Sequence, residues 1–224
     1  MLLHVSTSKS ADTSQADPAG APLAPRNATE DGILAAAREM LDEAPYHELT
    51  VDAIARRCYV SRTAVYFYFP NKRAVIDRLI QQVFTDMLAA ARPYLDGGTQ
   101  PRRELRQSLG RVCAVVNREA SILLLAADLS GREDGLPPEW EPYIRRLVVA
   151  VEDRIRRDQE RGIAPDDVSA RVSAQALCAM VERHITIEVL RQGNVVTESI
   201  RVLAELWWRA VYSFPPEGSG APSA

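Results

Sequence analysis

The chain has 224 residues, 46% of them hydrophobic and 25% charged, with a formal net charge of −3. These values sit near the globular average, so they exclude wholesale disorder and a uniformly basic coat, and the length suits one domain or two small ones. No apolar run approaches the roughly 18 residues of a membrane helix, and the first residues lack the apolar stretch of a secretion signal.

Residues 1–28 are rich in Ser, Ala and Pro and read as a disordered tail, as does 215–224, because nothing there offsets the cost of ordering the backbone. Between the tails, Gly and Pro separate segments of helical periodicity, and no alternation of period two is convincing. The spacing therefore predicts an all-α fold with helices over 29–44, 51–58, 62–68, 72–93, 102–118, 120–130, 139–161, 166–192 and 196–213. The fourth shows the pattern well: Val75, Ile76, Leu79, Ile80, Val83, Phe84, Met87 and Leu88 recur at three and four. Pro142 falls in the first turn of the seventh, Asp166 suits an N-cap, and Gly162 and Gly193 suit C-caps.

Residues 50–78 carry the most information. Thr50 can cap Val51–Cys58, Ser61 can cap Arg62–Phe69, and Pro70 stops the second helix. Two short helices joined by a tight turn, the second polar at its start, describe a helix-turn-helix whose second helix enters a DNA major groove. Six basic residues (Arg56, Arg57, Arg62, Lys72, Arg73 and Arg78) face two acids, Asp52 and Asp77, in this segment. An acidic chain with one basic helix-turn-helix concentrates its phosphate affinity on one face.

Thr50-Val51-Asp52-Ala53-Ile54-Ala55, followed by Val60-Ser61-Arg62-Thr63-Ala64-Val65-Tyr66-Phe67-Tyr68-Phe69-Pro70-Asn71-Lys72, resembles the DNA-binding signature of the TetR family of bacterial repressors. The resemblance covers about residues 29–92, and the run from Val65 to Lys72 is its specific part. It departs in the turn, where the family usually has Gly and this chain has Tyr59; a bulky residue there at positive φ is strained, so a reshaped turn is expected. The resemblance implies a DNA-binding domain at 29–71 and a ligand-binding and dimerisation domain at 72–214. It implies base and phosphate contacts from Arg62, Thr63 and Tyr66 at the recognition helix, whose N-terminus is at Ser61. Phosphate contacts are implied from Thr50 and Lys72. Tyr68 rather than Phe67 is expected to reach the DNA backbone, and Phe69 to pack inside.

Further along, Val151–Ile155, Gln159–Pro165, Glu182-Arg183, Leu206-Trp207 and Val211-Tyr212 are similar to the mycobacterial ethionamide-regulator branch of that family. This implies a cavity lined by Leu105, Leu109, Val112, Val116, Trp140, Tyr143, Ile144, Leu147, Cys178, Val181 and Trp207. The lining is mostly aliphatic, which predicts an elongated, largely apolar and nearly uncharged effector. Either Glu182 or Arg183, if turned inward, offers one polar anchor. Val168, Val172, Leu177, Val181, Ile185 and Val189, with Ile200, Leu203, Trp207, Ala210, Val211 and Phe214, give the last two helices two apolar faces each. In the family such helices pair across a two-fold axis, which implies a homodimer on near-palindromic operator DNA.

Cys58, Cys113 and Cys178 are far apart and odd in number, which suits a reducing cytoplasm and core-filling thiols. Neither they nor His4, His47 and His184 have metal-ligand spacing, and no metal or cofactor is expected. The chain has no nucleophile elbow, P-loop, zinc-protease helix or dinucleotide fingerprint, so an enzyme is not expected. The remaining alternative is a DNA-binding regulator with no small-molecule effector.

Overall fold

The structure, a computed structural model, describes residues 26–129, 141–185, 187 and 197–213. Among the described residues there are nine α-helices and one 3-10 turn, and no strand. The order is α1 (Arg26–Glu43), the 3-10 turn (Tyr46–Glu48), α2 (Val51–Arg57), α3 (Arg62–Tyr68) and α4 (Lys72–Leu95). Then follow α5 (Pro101–Arg118), α6 (Ala120–Leu129), α7 (Glu141–Glu160), α8 (Ala170–Ile185) and α9 (Thr197–Tyr212). No helix among the described residues is long and apolar enough to cross a membrane.

Three boundaries differ from the sequence reading for local reasons. α1 starts at Arg26, so residues 26–28 belong to a helix and not to the tail; the sequence holds no breaker between Pro25 and Gly32. α8 starts at Ala170 and not at 166. Gln159 Nε2 donates to the carbonyls of Pro165 (3.0 Å) and Val168 (2.9 Å), which holds that stretch out of a helix, and Ser169 rather than Asp166 caps α8. α4 runs past Pro93 to Leu95 because Ser108 of α5 repairs the break. Its Oγ accepts from Tyr94 N at 2.9 Å and donates to Ala91 O at 3.1 Å. Gly162 ends α7 as expected, at φ +67°, with Ile163 N donating to Asp158 O and Gly162 N to Gln159 O. Gly193 lies outside the described residues.

α4 is the spine. At about 1.5 Å per residue its 24 residues span roughly 36 Å. Its first half buries Val75, Ile76 and Leu79 with Ile33, Leu34 and Ala37 of α1, Ile54 of α2 and Val65 of α3 in one continuous core. Its second half packs along α5 and contributes Ala91, Tyr94 and Leu95 to the interior. Leu49 and Phe69 close the small three-helix unit. One ionic clasp joins α1 to the α5–α6 corner: Arg38 Nε to the buried Glu119 Oε2 at 2.9 Å, with Arg118 bridging Glu119 (2.7 Å) and Asp86 of α4 (2.9 Å).

A buried polar cluster ties the far end of α4 to α5, α7 and α9. Arg154 and Asp158, one turn apart on α7, are both 0% exposed and pair at 2.7 Å. Arg154 also meets Glu104 (2.9 Å) and donates to the Tyr94 carbonyl. Tyr212 OH donates to Asp158 at 2.8 Å, so the Tyr94 hydroxyl, 2.8 Å away, must donate to Tyr212; Trp207 Nε1 in turn donates to Tyr94 at 3.3 Å. A carboxylate accepts only, and that fixes the direction of the whole chain.

The last two helices divide their apolar residues differently from the sequence reading. Leu177, Val181 and Ile185 on α8, and Leu203, Trp207 and Val211 on α9, are buried within the protomer, and Ile200 is half-buried. Val189 and Phe214 lie outside the described residues. The outward stripe is Val172, Ala176 and Ala179 on α8 and Val202, Leu206 and Ala210 on α9, with Val168 exposed just before α8. A shift of one residue turns a helical side chain by about 100°, enough to separate 202/206/210 from 203/207/211.

Candidate nucleic-acid interface and ligand cavity

Capping builds the helix-turn-helix. Thr50 Oγ1 accepts from Ala53 N, Ser61 Oγ from Ala64 N (both 3.1 Å) and Asn71 Oδ1 from Ala74 N (2.9 Å). The turn keeps the geometry that glycine normally serves. Tyr59 adopts φ +56°, and Val60 N donates to Ala55 O (3.0 Å) while Tyr59 N donates to Arg56 O (3.3 Å), a Schellman closure. The expected reshaping is absent: Tyr59 is 96% exposed, so its ring meets no obstacle and only the backbone is strained.

α3 presents Arg62, Thr63, Tyr66 and Phe67 to solvent, with Ser61 at its start and Thr50 exposed beside it. Arg62 links Asp52 (3.3 Å) to the Tyr66 hydroxyl (3.2 Å), which orders two side chains of this face before any partner arrives. Tyr68 lies half-buried against the core, one turn from buried Val65, and packs edge-on to Phe67, which is 65% exposed. Lys72 sits with Nζ 4.2 Å over the Tyr46 ring and within 3.4 Å of the Tyr46 carbonyl. Among the other bases, Arg57 pairs with Glu39 and Glu43, Arg73 with Asp77, and Arg78 with Glu30, all exposed pairs that a phosphate can displace cheaply.

Between α4, α5, α6, α7, α8 and α9 lies an apolar cavity of about 100 Å³. Nine of the eleven residues expected to line it do so: Leu105, Leu109, Val112 and Val116 of α5, Ile144 and Leu147 of α7, Cys178 and Val181 of α8, and Trp207 of α9. Tyr143 does not; it turns aside and stacks on Phe84 at 4.9 Å, at the rim of an adjoining pocket. Trp140 lies outside the described residues. Sequence reasoning missed the α4 wall (Phe84, Met87, Ala91, Tyr94, Leu95), and with it Ser108, Leu123, Val151 and Ile185. Those α4 positions continue the apolar stripe that marks the helix, a pattern that identifies its buried face but not a cavity beside it. Of the two possible anchors, Glu182 lines the cavity and Arg183 is exposed. Burial pushes the Cys178 thiol up to about 12, that of Cys113 to about 11 and the Tyr94 phenol to about 12, so these groups stay protonated and inert at neutral pH.

A capped helix-turn-helix joined by one long helix to a helical domain with an apolar cavity is the architecture of a transcriptional regulator. The chain belongs to the tetR family of bacterial regulatory proteins, whose model matches residues 33–79, and residues 105–213 match the model of the C-terminal domain of the transcriptional regulator EthR. It is similar to the HTH-type transcriptional regulator EthR of Mycolicibacterium smegmatis, 25% identical over 85% of this chain and 89% of that protein. It is 24% identical to EthR of Mycobacterium tuberculosis over 89% of this chain and 97% of that protein. A TetR-family regulator from Mesorhizobium loti shares the fold, with a TM-score of 0.69 at 15% identity over 85% of this chain and all of the other.

Proposed function

We propose that the protein is a cytoplasmic transcriptional repressor that binds near-palindromic double-stranded operator DNA as a homodimer, with its DNA affinity set by a mostly apolar small molecule in the C-terminal cavity. The observation that carries this reading is that α4 holds both sites: its N-terminus follows α3 directly, and Phe84, Met87, Ala91 and Tyr94 form a wall of the cavity. Ser61, Arg62, Thr63 and Tyr66 read the operator, and Thr50, Lys72 and Tyr68 approach its phosphates. Phe67, the more exposed of the aromatic pair, joins them. For Lys72 to reach a phosphate it must leave the Tyr46 ring, so its contribution is smaller than its charge suggests.

Drug-sized sites measure about 300–1,000 Å³, and this cavity is far smaller. A ligand of that size must therefore widen the gap between α4 and its neighbours, and that need gives the two states different affinities for it, which is all a switch requires. Each Å² of apolar surface it buries returns roughly 25 cal/mol. Dimerisation uses the outward stripe of Val172, Ala176, Ala179, Val202, Leu206 and Ala210, in a four-helix bundle with the second copy.

Selection of binding sites from a random duplex pool, followed by fluorescence anisotropy on the selected site, tests the reading. A near-palindrome is expected, and Tyr66→Ala or Arg62→Ala, folded by circular dichroism, lowers affinity at least tenfold. No enriched sequence, or wild-type affinity in the Arg62→Ala/Tyr66→Ala double variant, overturns it.

A further inference from the structure

Within the helix-turn-helix, the conformation and the exposure of Tyr59 both run against its chemistry. Its φ of +56° lies in the left-handed region that favours glycine, and among the described residues no other non-glycine residue has a positive φ. The ring covers nothing: it is 96% exposed, and its hydroxyl has no hydrogen-bond partner among the described residues. The turn closes through backbone alone, Val60 N to Ala55 O and Tyr59 N to Arg56 O, so glycine would close it equally well. Neither packing nor the turn gives a reason for an aromatic here. A side chain kept at a strained position, with no use inside the protomer, points to use by a partner.

Its place in the chain says which partner. Ser61, two residues on, caps α3, and Arg62, Thr63 and Tyr66 are exposed along that helix. Two residues of chain span at most about 7 Å, so Tyr59 stays beside the end of α3 that enters the operator's major groove. That groove is about 12 Å wide, and phosphates border it. Arg56, three residues before Tyr59, is exposed and makes no ion pair among the described residues, which adds a cation to the same turn. A phenol is a hydrogen-bond donor, and tyrosine is one of the side chains that fix a protein on a duplex by donating to phosphate oxygens. We propose that the Tyr59 hydroxyl donates to an operator phosphate at the edge of the groove entered by α3, once in each half-site. The proposal rests on the reading of the helix-turn-helix as the operator-binding unit.

Fluorescence anisotropy on the selected operator with Tyr59→Phe and Tyr59→Gly, beside the Arg62→Ala/Tyr66→Ala variant, tests it. Tyr59→Phe keeps the backbone and the ring and removes only the donor. Its affinity is expected to fall about tenfold, since the lost bond is to a charged acceptor. Tyr59→Gly is expected to lose at least as much while its melting midpoint rises, a combination that a merely structural tyrosine does not produce. If circular dichroism shows Tyr59→Gly to be unfolded, Tyr59→Phe decides. Operator affinity within twofold of wild type in either folded variant overturns the proposal, and a loss of affinity in the Arg62→Ala/Tyr66→Ala variant then leaves the operator-binding reading standing without it. If the wild-type protein selects no site, or the double variant binds as the wild type does, the operator-binding reading falls, and the Tyr59 contact with it.

Discussion

Replacing Arg154 with methionine tests the packing of the C-terminal domain at its buried ion-pair cluster. The side chain is 0% exposed and serves Asp158, Glu104 and the Tyr94 carbonyl at once. Methionine keeps the length and removes every donor. Glu104 retains the backbone N–H groups of Gly98 (3.0 Å) and Gln100 (3.3 Å), so most of the penalty falls on Asp158. Asp158 keeps only the Tyr212 hydroxyl on one oxygen and has no partner on the other. Stranding one partner of a buried pair costs about 3–5 kcal/mol, a large share of the roughly 5–15 kcal/mol that holds a protein folded. For a chain of this size that is a fall in melting midpoint of roughly 6–20 °C. Urea unfolding at pH 7 and fixed protein concentration measures it. Asp158→Leu added to Arg154→Met removes the stranded charge, so the double variant should be more stable than Arg154→Met alone. A single-variant loss under about 1 kcal/mol, or strict additivity in the double variant, refutes the reasoning.

Three further outcomes follow from named residues. Tyr59→Gly should stabilise the protein by about 0.5–1 kcal/mol, since the left-handed turn costs tyrosine roughly 1–2 kcal/mol and glycine about half that in entropy; a melting midpoint at or below wild type counts against it. Stability should fall as pH rises above 9. Cys178, Cys113 and Tyr94 are raised by burial from 9, 9 and 10 to about 12, 11 and 12, so the folded chain keeps protons that the unfolded chain releases, each adding a slope of up to about 1.4 kcal/mol per pH unit. Urea midpoints that stay flat from pH 8.5 to 10.5 contradict that sign. Leu206→Glu should place a charge in the proposed two-fold bundle and yield protomers by light scattering at micromolar concentration, whereas an unchanged dimer moves the interface elsewhere.

The helix-turn-helix was legible because its determinants are local. Thr50, Ser61 and Pro70 mark the ends of two helices in the sequence itself, and the conflict at Tyr59 was visible as the wrong residue type for its backbone. The sequence pattern could not say that an exposed ring lets the chain tolerate that strain without reshaping the turn. The α5 and α7 walls of the cavity were legible through family resemblance. The α4 wall was not, because periodicity identifies the apolar face of a helix without saying whether it meets side chains or a void. Arg154 and Asp158 were invisible for a related reason: a base and an acid at i and i+4 read as a solvated surface pair, and only tertiary packing of α4, α5 and α9 around them makes them interior. Asp166 failed as a cap because Gln159, seven residues earlier, binds the carbonyls of Pro165 and Val168 and holds that stretch out of a helix. On α9 the sequence could not say which apolar residues face inward, since the adjacent stripes 202/206/210 and 203/207/211 are both apolar.

The central claim is that the cavity and the recognition helix are coupled. It is tested most directly by the affinity of the wild-type protein for its selected operator, measured by anisotropy at fixed salt with and without saturating propylbenzene or another apolar compound of similar size. The account predicts at least a fivefold change in operator affinity with a compound that calorimetry shows to bind, and the same factor in that compound's affinity when operator is present first. Binding of the compound with operator affinity unchanged would contradict it and leave a DNA-binding protein whose cavity is only a packing defect.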